Sequence, residues 1–419
     1  MIHGVKGTRD ILPASTNTWN QVEKAARQIF QRFNYREIRT PILEHTALFA
    51  RSVGEETDIV SKEMYTFEDR DGSSLTLRPE NTASVIRAYV EHRLDQHGLL
   101  QKLYYIGPMF RRERPQKGRY RQFYQIGAEA IGSDSPAIDA ELIDMVIAIL
   151  RETGMENFEL LINSVGSKAS RAKYNEVLRT ELERVADQLC GDCRRRAETN
   201  PLRVLDCKVP EDQPVIDKLP SILDYLDEQD QEHFRRVREF LDDLHIAYTV
   251  KPRLVRGLDY YARTTFEITH TSLGAQNAIV GGGRYDGLAE TLGSKIAAPG
   301  IGFSIGEDRL VMTVEEGNTF PPPVLDLYIA AMGDRALRHC AVLAREIRST
   351  GISVEVGPGG KLKRMLELAN KLAATYALIV GDNEMETQCY ALKDMQSGEQ
   401  ETLTHEELLR RFEHVSTNA

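Results

Sequence analysis

Leu103-Tyr-Tyr-Ile-Gly-Pro-Met-Phe-Arg111 and Arg121-Gln-Phe-Tyr-Gln-Ile-Gly-Ala-Glu129 flank the run Arg111-Arg-Glu-Arg-Pro-Gln-Lys-Gly-Arg-Tyr-Arg121. The flanks are apolar and aromatic, so they predict an antiparallel pair of strands joined by a basic loop. That loop carries six basic residues against one acid in a chain whose net charge is -10. A basic run is often a solvated face. Here it caps two apolar strands, which sets its cations at a sheet edge above a pocket. Guanidinium groups in that position suit a polyphosphate, and the outer loop suits a nucleic-acid backbone.

Working outward, Thr18 to Tyr35 places Trp19, Val22, Ala26, Ile29, Phe30 and Phe33 at helical spacing, predicting an amphipathic helix. Alternation on both sides of Asp71-Gly72 predicts a β-hairpin. Asp134-Ser135-Pro136 opens a helix whose apolar stripe runs from Ile138 to Ile149 and closes near Gly154. From Ser167 to Tyr248 the sequence turns charged and helical, broken by Asn200-Pro201, Val209-Pro210 and Leu219-Pro220, which predicts an insertion. Strand patterning resumes at Tyr248, at Thr264-Thr-Phe-Glu-Ile-Thr269 and at Gly300-Ile-Gly-Phe-Ser-Ile-Gly306. A first domain, 1–322, therefore surrounds an insertion at about 167–248. Pro321 to Pro323 predict a stiff linker. Beyond it a βαβαβ order over 324–419 predicts a small α/β domain with parallel pairing.

The chain has 419 residues, 41% hydrophobic and 28% charged, a globular composition too long for a single core. Its acidic balance excludes a general nucleic-acid coat, because phosphate affinity is mostly electrostatic. The apolar runs fall short of a membrane span, and the start lacks the pattern of a secretory signal, so a cytoplasmic protein is expected. Five cysteines fit a reducing compartment. Cys190, Cys193 and Cys207 offer a Cys-x-x-Cys and a third thiol, but no second pair follows at ligand spacing. They read as ordinary thiols with no protein-bound structural metal.

Other segments carry chemistry. Arg78-Pro-Glu-Asn-Thr82 offers Glu80 and Thr82 to an ammonium group, or simply starts a helix. Gln125, Gly127 and Glu129 share one strand face by period-two alternation, expected opposite buried Phe123 and Ile126. Arg256 is the only cation within apolar Leu254-Val-Arg-Gly-Leu-Asp-Tyr-Tyr261, so it needs Asp259 or an anionic ligand as partner. Gly281-Gly-Gly-Arg-Tyr-Asp-Gly287 lacks the Lys-Ser/Thr of a phosphate-binding loop and reads as backbone packed close against a flat ligand. Gly357-Pro-Gly-Gly360 reads as a turn.

Together these segments resemble a known family. Thr40-Pro41, Phe110-Arg111 with its basic loop, and Gly300 to Arg309 resemble the three ordered motifs of class II aminoacyl-tRNA synthetases. Leu254 to Tyr261 and Gly282 to Leu288 resemble the two segments peculiar to histidyl-tRNA synthetases of the bacterial type. The resemblance implies an antiparallel catalytic sheet flanked by helices and a C-terminal α/β anticodon-binding domain. It implies activation of L-histidine with ATP and Mg2+ to histidyl-adenylate and pyrophosphate, then transfer to the 3′ end of tRNA(His). By the same carry-over Arg111 and Arg256 are catalytic. Glu80, Thr82 and Gln125 bind the α-ammonium group, while Glu129 and Tyr261 read the imidazole, with Tyr260 and Tyr285 lining the site. Glu113 and Arg309, with Arg111, bind ATP, and Gln116, Arg119 and Arg121 meet the tRNA acceptor end. Asn81 stands where the commoner version has glycine. Lys361, Lys363 and Arg364 are the anticodon-side candidates, in a domain with 11 basic and 14 acidic residues. The resemblance also implies a homodimer with the segment around Pro41 at the interface. A rival, the synthetase-like regulatory subunit of ATP phosphoribosyltransferase, normally lacks the anticodon domain and has decayed histidine-specific motifs.

Overall fold

A computed structural model describes residues 2–54, 57–114, 116–271, 278–317, 320 and 324–413. The chain divides into two compact units, Met1–Phe320 and Pro321–Ala419. The proline linker at Pro321 to Pro323 lies outside the described residues.

The basic loop and its flanks form the centre of the first unit. Gln101–Phe110 pairs antiparallel with Gln122–Ile131 from Gln101↔Ile131 to Phe110↔Gln122. They belong to an eight-stranded sheet in the order Arg36–Glu37, Gln101–Phe110, Gln122–Ile131, Gly300–Gly306, Ala278–Arg284, Ala262–His270, Phe158–Ser164, Thr249–Val250. The two edge pairings are parallel and the inner ones antiparallel. Inner strands with Ile126, Ala128, Phe266, Ile268, Ile301 and Phe303 bury one face under the helices Pro13–Arg32, Pro136–Glu152 and Glu307–Gly317. Burial of such side chains contributes roughly 1.5–3 kcal/mol each.

Two boundaries differ from the sequence expectation. The first helix begins at Pro13, not Thr18, because Pro13 occupies its first turn. Proline presets φ there and lacks only an N–H that would have no helical partner. The polar residues of that turn leave no apolar stripe to read. The second difference lies in the insertion. Lys168–Arg184 and Gly191–Thr199 build a separate core around Tyr174, Leu178, Leu182, Cys193 and Cys207. Glu228–Asp243, however, sends Phe234, Val237 and Leu241 into the main core, so the end of the predicted insertion is part of the sheet's helical cover. The predicted Ser135 cap is present, accepting from the Ala137 amide at 3.3 Å. The predicted hairpin is present too: Tyr65–Glu68 pairs with Ser74–Leu77, and Leu43–His45 completes a small three-stranded sheet.

In the second unit Leu327–Ala331 pairs parallel with Val354–Val356 and with Tyr376–Val380, as the βαβαβ pattern predicts. Two further antiparallel strands, Cys389–Asp394 and Gln400–Thr404, and the helix His405–Glu413 extend the sheet and its core beyond that pattern.

Candidate active site

A cavity of about 840 Å³ opens on the sheet face away from those covering helices, where the basic loop, the insertion and the glycine-rich strands meet. It gathers Glu80, Thr82, Arg111, Glu113, Arg119, Gln125, Arg256, Tyr260, Tyr261, Tyr285 and Arg309 in its wall. Gln116, Arg121 and Glu129 are not among its lining residues. Gln116 and Arg119 exchange backbone hydrogen bonds that close the loop tip, and the Arg121 amide donates to the Gly7 carbonyl at 2.7 Å.

Each cavity arginine named above is held by protein groups. Arg111 donates through Nε to the Pro79 carbonyl at 2.9 Å and stands 3.6 Å from Glu113. Glu113 also pairs with Arg119 at 2.7 Å, so these two loop residues, expected on different ligands, hold each other. Arg309 spans from the Gly118 carbonyl at 3.3 Å to the Ala278 carbonyl at 2.6 Å, tying the basic loop to the neighbouring strand.

Arg256 corrects the sequence expectation. Its partner is Glu267, not Asp259; Asp259 accepts instead from Asn200 Nδ2 at 3.1 Å. Glu267 is the single acid within Thr264 to Thr269, and that isolation was the readable signal for it. A Cβ on Gly281 would overlap the Arg256 guanidinium, and one on Gly302 would overlap Glu129. Gly281, and Gly302 on the neighbouring strand, thus admit the protein's own charged side chains onto the sheet, and both also line the cavity.

The acids form a second group. Glu80 caps its helix by accepting from the Thr82 and Ala83 amides at 2.7 and 3.0 Å, and it also faces the cavity. The helix-start reading of that pentapeptide therefore holds, and its carboxylate is placed where a ligand could meet it. Asn81 is fully buried and accepts from Thr40 Oγ1 at 2.6 Å and from Arg78 Nη1 at 3.2 Å, which fastens the Thr40-Pro41 segment to the helix start. Glu129 lies behind the lining, fully buried, and accepts from Thr82 Oγ1 at 2.7 Å. Burial pushes its carboxyl up to about 8; neighbouring Glu80 adds to the rise, and hydrogen bonding to Thr82, Tyr285 and Tyr105 opposes it. Burial likewise raises Glu80, against the pull of its backbone donors and Arg111.

Phe123 lines the cavity beside Gln125, while Ile126 lies in the opposite core. Residues 123 and 125 share a strand face by period-two alternation, so the expectation that set Phe123 opposite Gln125 is wrong and that for Ile126 is right. Tyr260 packs against Tyr261 and Tyr285 with ring centroids 4.8 and 6.1 Å apart. Tyr105, which sequence reasoning missed, lines the same wall.

Arg284, inside the predicted glycine segment, is a strut and not a ligand group. It is fully buried against Asp139, the Ser133 carbonyl and Asp286. Burial raises Asp139 to about 6 although Arg284 opposes the rise.

An antiparallel sheet of this order, with Arg111 ending one central strand and Arg309 following another, both opening on one cavity, defines the catalytic fold of class II aminoacyl-tRNA synthetases. The particular family follows from comparison. A family profile described as Histidyl-tRNA synthetase matches residues 7–310, and one described as Anticodon binding domain matches 326–414. A histidine–tRNA ligase from Solibacter usitatus is 65% identical over 99% of this chain and 100% of its own length. One from Koribacter versatilis is 56% identical over 97% and 95%. The crystal structure of apo histidyl-tRNA synthetase from S. aureus superposes with a TM-score of 0.84 at 40% identity, covering 99% of this chain and 100% of that one. The chain belongs to the histidyl-tRNA synthetase family.

Proposed function

We propose that this chain joins L-histidine to tRNA(His) in two steps within the described cavity. The histidine carboxylate attacks the α-phosphorus of ATP, an O–P bond forms, the α–β bridge breaks and pyrophosphate leaves. A hydroxyl of the tRNA terminal ribose then attacks the acyl carbon, AMP leaves, and the hydroxyl proton passes to a phosphate oxygen. The observation that carries this reading is the convergence of Arg111, Arg256 and Arg309 on a cavity whose far wall is Glu80, Thr82 and a tyrosine cluster. One end suits a polyphosphate and the other a small cationic amino acid.

Because a carboxylate is already ionised at neutral pH, adenylation needs alignment and charge neutralisation more than proton transfer. Arg111 and Arg256 flank the α-phosphate, Arg309 holds the outer phosphates, and Glu113 takes the adenine amino group after releasing Arg119. Mg2+ enters with the nucleotide as part of that substrate. Glu80, Thr82 and Gln125 hold the ammonium group. Glu129, Tyr260, Tyr261 and Tyr285 recognise the imidazole, and polar groups dedicated to two ring nitrogens reject isosteres that lack them.

Residues 1–322 serve as the catalytic domain and 324–419 as the anticodon-binding domain. Gln116, Arg119 and Arg121 on the basic loop meet the acceptor end. Lys361, Lys363 and Arg364 are exposed at the start of the helix Leu362–Lys371, which supports their role on the anticodon. Exposed Leu43 and Phe67 on the small three-stranded sheet, with exposed Ile42 just before it, support a homodimer through that part of the chain. No helix among the described residues is long and apolar enough to cross a membrane, and we place the enzyme in the cytoplasm. Charging tests the whole reading: labelled histidine should become attached to tRNA only with ATP present, and a chain that leaves tRNA uncharged under these conditions overturns it.

A further inference from the structure

Cys190, Cys193, Cys207 and Asp212 bring one ligand atom each to within 4.8 Å of all the others. The sequence reading set the three thiols aside for want of a fourth donor. The fold supplies that donor from Asp212, which only the turns after Val209 bring back to the cysteines. We propose that these four residues form a structural zinc site, which fastens the insertion to the wall of the active-site cavity.

The geometry is close to that of a bound ion. Tetrahedral zinc with thiolate and carboxylate ligands needs ligand atoms about 3.5–3.8 Å apart, from Zn–S and Zn–O lengths of about 2.3 and 2.0 Å. Cys207 Sγ stands 3.3 Å from Asp212 Oδ2, slightly inside that range, and no pair in the quartet exceeds 4.8 Å, so only a small rearrangement would seat the ion. The local backbone is arranged for thiolates. The Cys193 amide donates to Cys190 Sγ at 3.4 Å, and the Val209 amide donates to Cys207 Sγ at 3.4 Å. Cys190 also caps the helix Gly191–Thr199, whose positive end favours negative sulfur. The Cys190 amide fixes Asp212 from behind, at 3.0 Å to Oδ1. Cys193 and Cys207 are buried and Cys190 is half-buried, a closed arrangement proper to a structural and not a catalytic metal. Three thiolates and one carboxylate suit zinc better than an iron–sulfur cluster, which takes four thiolates.

The site also has something to hold. Between Cys193 and Cys207 the chain carries Arg196 and Arg203, which pair with Asp58 at 3.3 and 3.8 Å. Arg203 further donates to the Arg256 carbonyl at 3.2 Å. A metal closing the ends of this segment would fix the backbone from which Arg256 reaches into the cavity. Binding is balanced as three thiols and one carboxylate taking up Zn2+ and releasing three protons.

The test is metal analysis of the full-length, tag-free chain, purified under reducing conditions without chelator, together with the absorption spectrum of the metal-stripped chain given Co2+. We expect close to one zinc per chain and, with cobalt, sulfur-to-metal charge transfer with intense tetrahedral d–d bands. Cys190→Ser and Asp212→Asn should each lose the metal, while Cys389→Ser should keep it. If either site variant fails to fold, the cobalt spectrum of the unaltered chain still decides. Less than a tenth of an equivalent of zinc with no charge-transfer band, another metal in its place, or an unchanged zinc content in folded Cys190→Ser and Asp212→Asn would overturn the proposal.

Discussion

Thr82 Oγ1 donates to Glu129 Oε1 at 2.7 Å, joining the first residue of one helix to a central strand of the catalytic sheet. This bond, one backbone donor pair on Glu80 and three tyrosines set the acidic end of the cavity. At that end two buried carboxyls lie within electrostatic reach of each other. Such a pair resists ionisation until a cation arrives.

The first consequence concerns pH. The Glu129 carboxyl moves from an ordinary 4.5 to about 8 on folding. Between these values the folded chain holds a proton that the unfolded chain has lost. The stability due to that proton is complete below about 4.5, and it drains away as pH rises through about 8. Glu129→Gln should therefore flatten the decline in ligand-free melting temperature between pH 6 and 8.5, and it should weaken histidine binding. Melting curves across that range check it; parallel pH profiles for variant and parent would contradict it.

Arg256 faces a different demand. Glu267 orients it and Gly281 leaves it room, and the proposed mechanism sets its work at the α-phosphate. Arg256→Ala should lower single-turnover adenylation by about 10²–10³-fold, in keeping with the loss of one preorganised electrostatic group. Histidine affinity should change by only a few-fold, roughly 1 kcal/mol or less. Rapid quench with labelled ATP separates the two, and undiminished adenylation would remove Arg256 from the mechanism.

The buried Arg284 carries a stability prediction. Arg284→Met strands Asp139, next to a His233 that burial and the nearby arginines hold down at about 4, so that it stays neutral near pH 7. Losing one partner of such a pair costs about 3–5 kcal/mol. Urea unfolding of the single variant should show that loss, and adding Asp139→Asn should recover part of it. Equal losses in the single and double variants would mean that the pair is not coupled.

The second unit can be removed as a test of its role. A chain ending before residue 324 retains the whole cavity lining, so it should form adenylate at close to the parental rate and charge tRNA poorly. Steady-state charging at limiting tRNA measures this. Full charging efficiency in the shortened chain would refute the anticodon-binding assignment.

Much of this was legible in the sequence because the carrying signals are local. Alternation around the basic loop gave the central pair, and the lone cation of Leu254 to Tyr261 marked Arg256. What escaped depended on distant strands. Glu267 becomes the partner of Arg256 only when its strand folds back beside Gly281. Tyr105 looked like any core aromatic until Gly127 let its ring lie on the cavity face. The last strand pair and helix of the second unit did carry a pattern, Tyr390 and Leu392 on one strand face and Leu408 and Phe412 on one helix face, which the βαβαβ reading left out. Asp212 meets three cysteines only through irregular turns that carry no periodic signal.

Histidine-dependent exchange of pyrophosphate into ATP tests the central claim most directly, because it isolates adenylation from every tRNA contact. The account predicts exchange with histidine and none with glycine, proline or threonine. Histidine binding without any exchange would contradict it and mark the chain as a histidine sensor in place of a ligase.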